Sequence, residues 1–399
     1  MTVMPLTELW TSTPEQLEGK RLSQIIAFAG SGKLSDKSPE TNEFREFLSH
    51  IPSEMLVSFA DECLQGGFKM SGLALQDIVN QVGRRLGFQV EDGRYRGVQG
   101  QIGFDGIWRT EDGHGIVIEV KTTDAYRMDL GVPAGYRQSL IDEGRIGESE
   151  SSILFVVGRE DTGDLEAQIR GSRHAWDIRV ISVDALLKLM KLREELEDPL
   201  IVRKIGTILT PEEYTRVDGI IDVVFLTAED VKEEKEPEED EEPKEKKAKF
   251  HPVAFNEECA ERVQKHLGRT LVKQSRASWR SPDGALAVLC TVSRPHTRSG
   301  LATFWYAYHP HQREFLGDSE EAYAAFGCGS EETIILIPRD HLTPWLDGMN
   351  TTSRDDGRTY WHIQIQQDGN SYRLLRKANA EPIDVSKYLL PRAPRSEAQ

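Results

Sequence analysis

Asp105, Glu119 and Lys121 are the side chains whose types and spacing could do chemistry. They stand in the runs Gly103-Phe-Asp-Gly-Ile-Trp108 and Gly115-Ile-Val-Ile-Glu-Val-Lys121, with 13 residues between the two acids. Side chains two apart on a strand share a face, so Glu119 and Lys121 project together while Val120 points into the opposite, apolar layer. The turn Glu111-Asp-Gly113 separates the runs and predicts an antiparallel hairpin, which brings Asp105 toward Glu119. Two carboxylates and a backbone carbonyl suit a hard cation such as Mg²⁺, which keeps several waters. Such a cation polarises a phosphate and lowers the pKa of a bound water, and an ammonium offsets developing charge. Phosphodiester hydrolysis is the chemistry this set fits. The bland alternative is a solvated hairpin face. Against it stands the apolar company of Ile116, Val117, Ile118 and Val120, where unpaired charge is costly.

Several elements must position these groups. Leu75, Ile78, Val79, Val82 and Leu86 recur at helical steps, which predicts a helix over 71–86 that Gly87 stops. Phe88-Gln-Val90 and a turn at Asp92-Gly93 lead into the hairpin. Beyond it, 136–143 reads as helix and Ser152-Ile-Leu-Phe-Val-Val-Gly158 as a buried central strand. Asp164 to Trp176 reads as a polar helix and Ile178 to Val183 as a strand, after which Asp184 caps a helix from Ala185 to Leu196. This order predicts an α/β fold, a mixed sheet covered by helices.

The helix ending at Gly87-Phe88, then Gly103-Phe-Asp105, then Ile118-Glu-Val-Lys121, resembles the PD-(D/E)XK nuclease superfamily, in particular its Mrr-like restriction endonucleases. The likeness covers about 71–196, roughly a third of the chain. It implies a restriction-endonuclease-like sheet in which Asp105 and Glu119 bind Mg²⁺ or Mn²⁺, the Val120 carbonyl adds a ligand, and Lys121 is the catalytic lysine. Many members carry a metal-assisting glutamate on the preceding helix. Gln76, with Asp77 beside it, holds that place here and brings no charge. Some members use a polar residue on the helix after the ExK strand, for which Gln138 is the nearest candidate; a plain surface glutamine explains it equally well.

Other residues are candidates for nucleic-acid contact. Thr122-Thr-Asp124 and Tyr126 follow the lysine and could touch phosphate, although hydrogen bonds within a loop explain them as well. Arg170, Arg173 and His174 share one sector of the expected helix, and Arg84, Arg85, Arg94 and Arg96 add positive charge near the start of the core. Ala29-Gly-Ser-Gly-Lys33 lacks the Gly at 27 and the Ser or Thr at 34 that a phosphate loop needs, so a helix end and loop is expected. In the second half, Phe304-Trp-Tyr-Ala-Tyr308 is a set of interleaved aromatics, either core or a base-stacking surface. His309 and His311 make a poor metal site alone, and Phe326-Gly-Cys-Gly-Ser330 reads as a flexible loop.

The whole chain frames these readings. Its net charge of −17 is unusual for a nucleic-acid binder, but 11 acidic and 6 basic residues crowd into 229–249. That Pro-interrupted tract is expected to be a disordered linker. Four domains are expected: an N-terminal helical region 1–70, the nuclease-like domain 71–227, the acidic linker 228–250, and a C-terminal α+β recognition or partner domain 251–399. In the last, Asn256 to Leu267 reads as helix, and Ala285–Val292, Leu301–Tyr308, Thr333–Ile337 and Tyr360–Ile365 as strands. Four scattered cysteines without a CxxC pair fit a reducing cytoplasm. No transmembrane run or secretory signal is present, so no membrane partner is expected. The expected activity is metal-dependent cleavage of DNA in restriction or anti-phage defence, with a homodimer or a defence-system protein as partner. Two alternatives stay open: a non-catalytic nucleic-acid or partner-binding protein on this fold, and an RNA-directed or effector-gated nuclease.

Overall fold

The computed structural model describes residues 6–65, 68–95, 102–122, 128–158, 163–196, 208–211, 252–298, 301–353, 359–377 and 380–391. The chain is mixed α/β and divides into two compact units, Met1–Glu234 and Lys235–Gln399. The linker expected at 228–250 lies outside the described residues.

The first unit begins with helices α1 (Leu6–Ser12), α2 (Leu22–Phe28), α3 (Pro39–His50), α4 (Ser53–Leu64) and α5 (Ser71–Arg85). Strands β1 (Gln89–Asp92), β2 (Gly106–Arg109) and β3 (Gly115–Lys121) follow, then α6 (Gly131–Asp142), β4 (Ser151–Val157), α7 (Gly163–Arg170), β5 (Ile178–Ser182) and α8 (Val183–Glu195). The sheet runs β1-β2-β3-β4-β5. Its first three strands are antiparallel, and β3, β4 and β5 are parallel. The expected hairpin is β2–β3, with Gly106 opposite Ile118. All seven residues of β4 are buried, as an interior strand covered on both faces requires.

Strand alternation divides the core between the two faces. Ile116, Ile118, Leu154 and Val156 pack with Leu75, Ile78, Val79 and Val82 of α5 and with the helices before it. Val117, Ile153, Phe155 and Val157 pack on the other face with Leu140, Leu165 and Ile169. Helices α1 to α4 share the first of these cores with α5, so α5 is buried almost all round rather than along one stripe. A Cβ on Gly83 would collide with the Trp108 ring, so glycine there permits the close approach of α5 to β2.

Two expectations are corrected here. Helix α7 stops at Arg170 instead of running to Trp176: Gly171 follows, and both the Ser172 hydroxyl and its N–H donate to the Ile169 carbonyl, at 2.8 and 3.0 Å. Arg170, Arg173 and His174 are therefore not one helical sector. Ser182, not Asp184, caps α8, its hydroxyl accepting from the Ala185 N–H at 3.1 Å.

The second unit holds α9 (Pro252–Leu267), β6 (Val272–Lys273), β7 (Ser278–Arg280), β8 (Leu286–Ser293), β9 (His296–Arg298), β10 (Leu301–Tyr308) and α10 (Pro310–Gly317). It continues with β11 (Glu321–Cys328), β12 (Ile334–Pro338), α11 (Arg339–Trp345), β13 (Thr351–Ser353), β14 (Thr359–Asp368), β15 (Ser371–Leu375) and β16 (Ile383–Asp384). One sheet runs β12-β11-β8-β7-β6; the other runs β16-β15-β14-β10-β9, with β13 beside β14. Side chains of both sheets interdigitate in one core, and α9 covers the back of the first sheet. The expected loop at Phe326 is corrected: Phe326, Gly327 and Cys328 are buried in β11, which pairs in parallel with β8. A Cβ on Gly327 would press on Val292 and Cys259, so glycine there serves packing rather than a turn.

Candidate active site

Asp105 sits just before β2, and its N–H donates to the Ile118 carbonyl at 3.1 Å. Its carboxylate Oδ2 accepts from the Val120 N–H at 2.7 Å, which holds the acid beside the end of β3. Glu119 and Lys121 share the face that Val117 occupies, and Val120 packs on the α5 side, as the alternation requires. Lys121 Nζ donates to Glu119 Oε1 at 2.5 Å; the Glu119 side chain is 12% exposed and that of Lys121 41%. The Lys121 carbonyl accepts from Gly158 on the β4 side, so the Val120 carbonyl is turned the other way, toward Asp105.

The electrostatics follow from crowding two acids at a half-buried edge. Burial, and then the charge on Glu119, push the Asp105 carboxyl up to about 7, against the pull of the Val120 N–H and Lys121. Burial opposes the Lys121 ammonium, but its bond to Glu119 and the nearby acids outweigh it and raise its pKa. Tyr136 of α6 adds to that raise. The donor set is two carboxylates and a carbonyl, all hard oxygens. Among the described residues no group of three or more His, Cys, Asp or Glu could hold a metal. Hard oxygen donors are the kind that Mg²⁺ or Mn²⁺ takes while keeping several waters.

The structure brings some of the other expected residues to this centre and not others. Gln76 is buried and reaches Asp105 through the main chain: its Nε2 donates to the Asp105 carbonyl at 3.0 Å. Asp77 is turned away, bound to Arg45 at 2.8 Å and to the Tyr95 hydroxyl. Gln138 is exposed on α6 and donates to Asp142 at 2.9 Å, as a surface glutamine does. Thr122 follows Lys121 but has its methyl toward Gly72 of α5, on the opposite face. Arg84 is committed to Asp92 at 2.7 Å, and Arg85 is buried against Ser53 and the Ile51 carbonyl. Arg94 is half-buried, its N–H on the Phe104 carbonyl at 3.2 Å. Arg170 and Arg173 are exposed, the former 4.0 Å from Glu166. Arg96 and Tyr126 lie outside the described residues.

Asn80 is the residue that sequence reasoning missed. It is wholly buried on α5, donates from Nδ2 to the Asp105 carbonyl at 2.9 Å, and accepts from Trp108 Nε1 at 3.0 Å. An asparagine one turn after Gln76 was the available signal.

In the second unit the aromatic run splits by alternation. Phe304, Tyr306 and Tyr308 enter the core, whereas Trp305 lies on the other face with Tyr360 and His362. His309 and His311 stack on each other at 5.3 Å. All four cysteines are buried and unpaired. No helix among the described residues is long and apolar enough to cross a membrane. No family model matches the chain, and no curated protein matches it.

Proposed function

We propose that the first unit is a metal-dependent nuclease of the PD-(D/E)XK type that hydrolyses DNA phosphodiester bonds, with Asp105, Glu119 and Lys121 at its centre. The observation that carries this is the convergence of the two acids and the amine at the end of β3, with Asp105 at the entry to β2 and Glu119 and Lys121 on one face of β3.

Asp105, Glu119 and the Val120 carbonyl would hold Mg²⁺ or Mn²⁺. When bound, the cation would polarise the phosphate and make a bound water more acidic. The chain's own residues do the rest. The Val120 N–H orients the Asp105 carboxylate by taking one of its oxygens. Glu119 keeps Lys121 protonated and pinned beside the acids. As a partly exposed ammonium, Lys121 is poised to meet a phosphate oxygen or an attacking water and to offset the charge that builds up in the transition state. The apolar residues on both sides of β3 lower the local dielectric and strengthen these contacts.

The test is cleavage of supercoiled plasmid by the full chain. Nicked or linear product is expected with Mg²⁺ or Mn²⁺, none with a chelator, and none from Glu119→Gln. Single-stranded DNA and RNA of the same sequence, run alongside, decide the preferred substrate. Retarded DNA without any cut in either metal would instead assign the chain to non-catalytic binding.

A further inference from the structure

The main-chain carbonyl of Asp105 is unusually well held. It accepts from Asn80 Nδ2 at 2.9 Å, from Gln76 Nε2 at 3.0 Å and from the Gly93 N–H at 3.1 Å. Two of these donors are buried amides one turn apart on α5, a helix that packs on the face of the sheet opposite Glu119 and Lys121. Neither amide faces the reacting groups; both act through the backbone.

Asn80 is the more constrained of the two. Indole nitrogen can only donate, so the atom that faces Trp108 Nε1 is the Asn80 oxygen, and its NH₂ must turn to Asp105. Its place is also shaped from the sheet side. A Cβ at Gly106 would strike the Asn80 amide, so the glycine that follows Asp105 is what lets the amide in. The Asp105 carbonyl and the Trp108 indole thus bind one helix side chain at the start of β2, and Gly106 between them leaves it room. A buried polar side chain with both ends satisfied fixes a backbone closely, because any shift leaves a donor or acceptor unpaired.

We infer that Asn80 is a positioning residue that sets the Asp105 backbone, and hence its carboxylate, for cation binding; the inference rests on the nuclease function proposed above. With the carbonyl clamped from α5 and Oδ2 held by Val120, the remaining carboxylate oxygen has one direction in which to present itself. Residues that orient metal ligands in this way commonly govern affinity as much as the ligands themselves.

Two measurements on the full chain test this: hydrogen exchange without metal, and Mn²⁺ binding followed by electron paramagnetic resonance of the free ion. Asn80→Leu is expected to speed exchange of the segment around Asp105 and lower Mn²⁺ affinity, each by about tenfold or more, with exchange in β4 unchanged. Asn80→Asp keeps the size and the acceptor toward Trp108, and so guards against a folding failure of the leucine variant. It sets an oxygen against the Asp105 carbonyl and is expected to show both changes. Unchanged exchange around Asp105 overturns the inference. So does faster exchange with wild-type Mn²⁺ affinity, since Asn80 would then hold only the fold. A wild-type protein that binds no Mn²⁺ defeats the nuclease function itself, a failure recognised before any substitution is made.

Discussion

Two buried aspartates in the first unit make an instructive pair. Burial pushes Asp77 and Asp105 alike up to about 7. Their surroundings differ. Asp77 on α5 has a side chain with no exposure, and both its oxygens are taken, one by Arg45 and one by the Tyr95 hydroxyl. Arg45 extends the cluster to Asp92, 3.7 Å away, and Arg84 closes it. Asp105 has the Val120 N–H on Oδ2, and among the described residues no partner falls on Oδ1. Glu119 repels it, and the nearby Lys121 ammonium is already bonded to Glu119. A raised pKa therefore does not separate the two. What separates them is charge balance: in the first cluster Arg45 and Arg84 answer Asp77 and Asp92, whereas in the second, among the described residues, two acids face the Lys121 ammonium at an edge that reaches solvent through it. A cation would restore the balance.

Substitutions should pull the two clusters apart. Lys121→Ala has the largest expected effect: loss of plasmid cleavage by about a hundredfold to a thousandfold, with little change in thermal melting, since Lys121 is partly exposed. Equal loss of cleavage and of stability would make the Asp105 cluster as structural as the other. Arg45→Ala should do the reverse. It is expected to cost about 3 kcal/mol in denaturant unfolding, the low end for breaking a buried pair because Asp77 can take up a proton instead, while the folded fraction still cleaves.

The pH dependence of stability sharpens the comparison further. Each aspartate has a folded pKa raised from 3.8 to about 7, so the folded state holds the extra proton. Their contribution to stability is full below about pH 4 and is lost as pH rises through about 7. In metal-free protein, Asp105→Asn should remove its share of that loss, melting higher than wild type at pH 8 and equal to it near pH 4. Adding Mn²⁺ should raise wild-type melting at pH 8 and leave Asp105→Asn unmoved. The smallest effects concern the arginines. Arg170→Ala, at an exposed and loosely paired site, should lower the salt slope of duplex binding by about 1. Arg84→Ala should leave that slope alone, because Arg84 is spent on Asp92.

The juxtaposition of the three proposed site residues was legible because it depends on local rules. Alternation put Glu119 and Lys121 together, and one tight turn brought Asp105 to them. The same rule separated Trp305 from Phe304 and Tyr306. Supporting residues were harder to read because their partners are distant in sequence. Gln76 was picked as a substitute for a charged ligand, yet helical register takes it to a carbonyl 29 residues on. Asn80 offered only its place one turn after Gln76 as a signal, because its partners lie 25 and 28 residues away. Strand β11 was hidden by Gly327 and Gly329. The first yields to packing, and the second, at φ 78°, marks where the strand ends. The extent of α7 was overrun because a polar amphipathic pattern continues past Gly171, where Ser172 draws its bonds back to Ile169.

The most direct measurement is anomalous diffraction from crystals of the protein grown or soaked with Mn²⁺. A peak is expected between the Asp105 and Glu119 carboxylates, with Lys121 displaced from its 2.5 Å contact with Glu119. Crystals rich in Mn²⁺ that show no peak there, and Lys121 still seated on Glu119, would contradict the account.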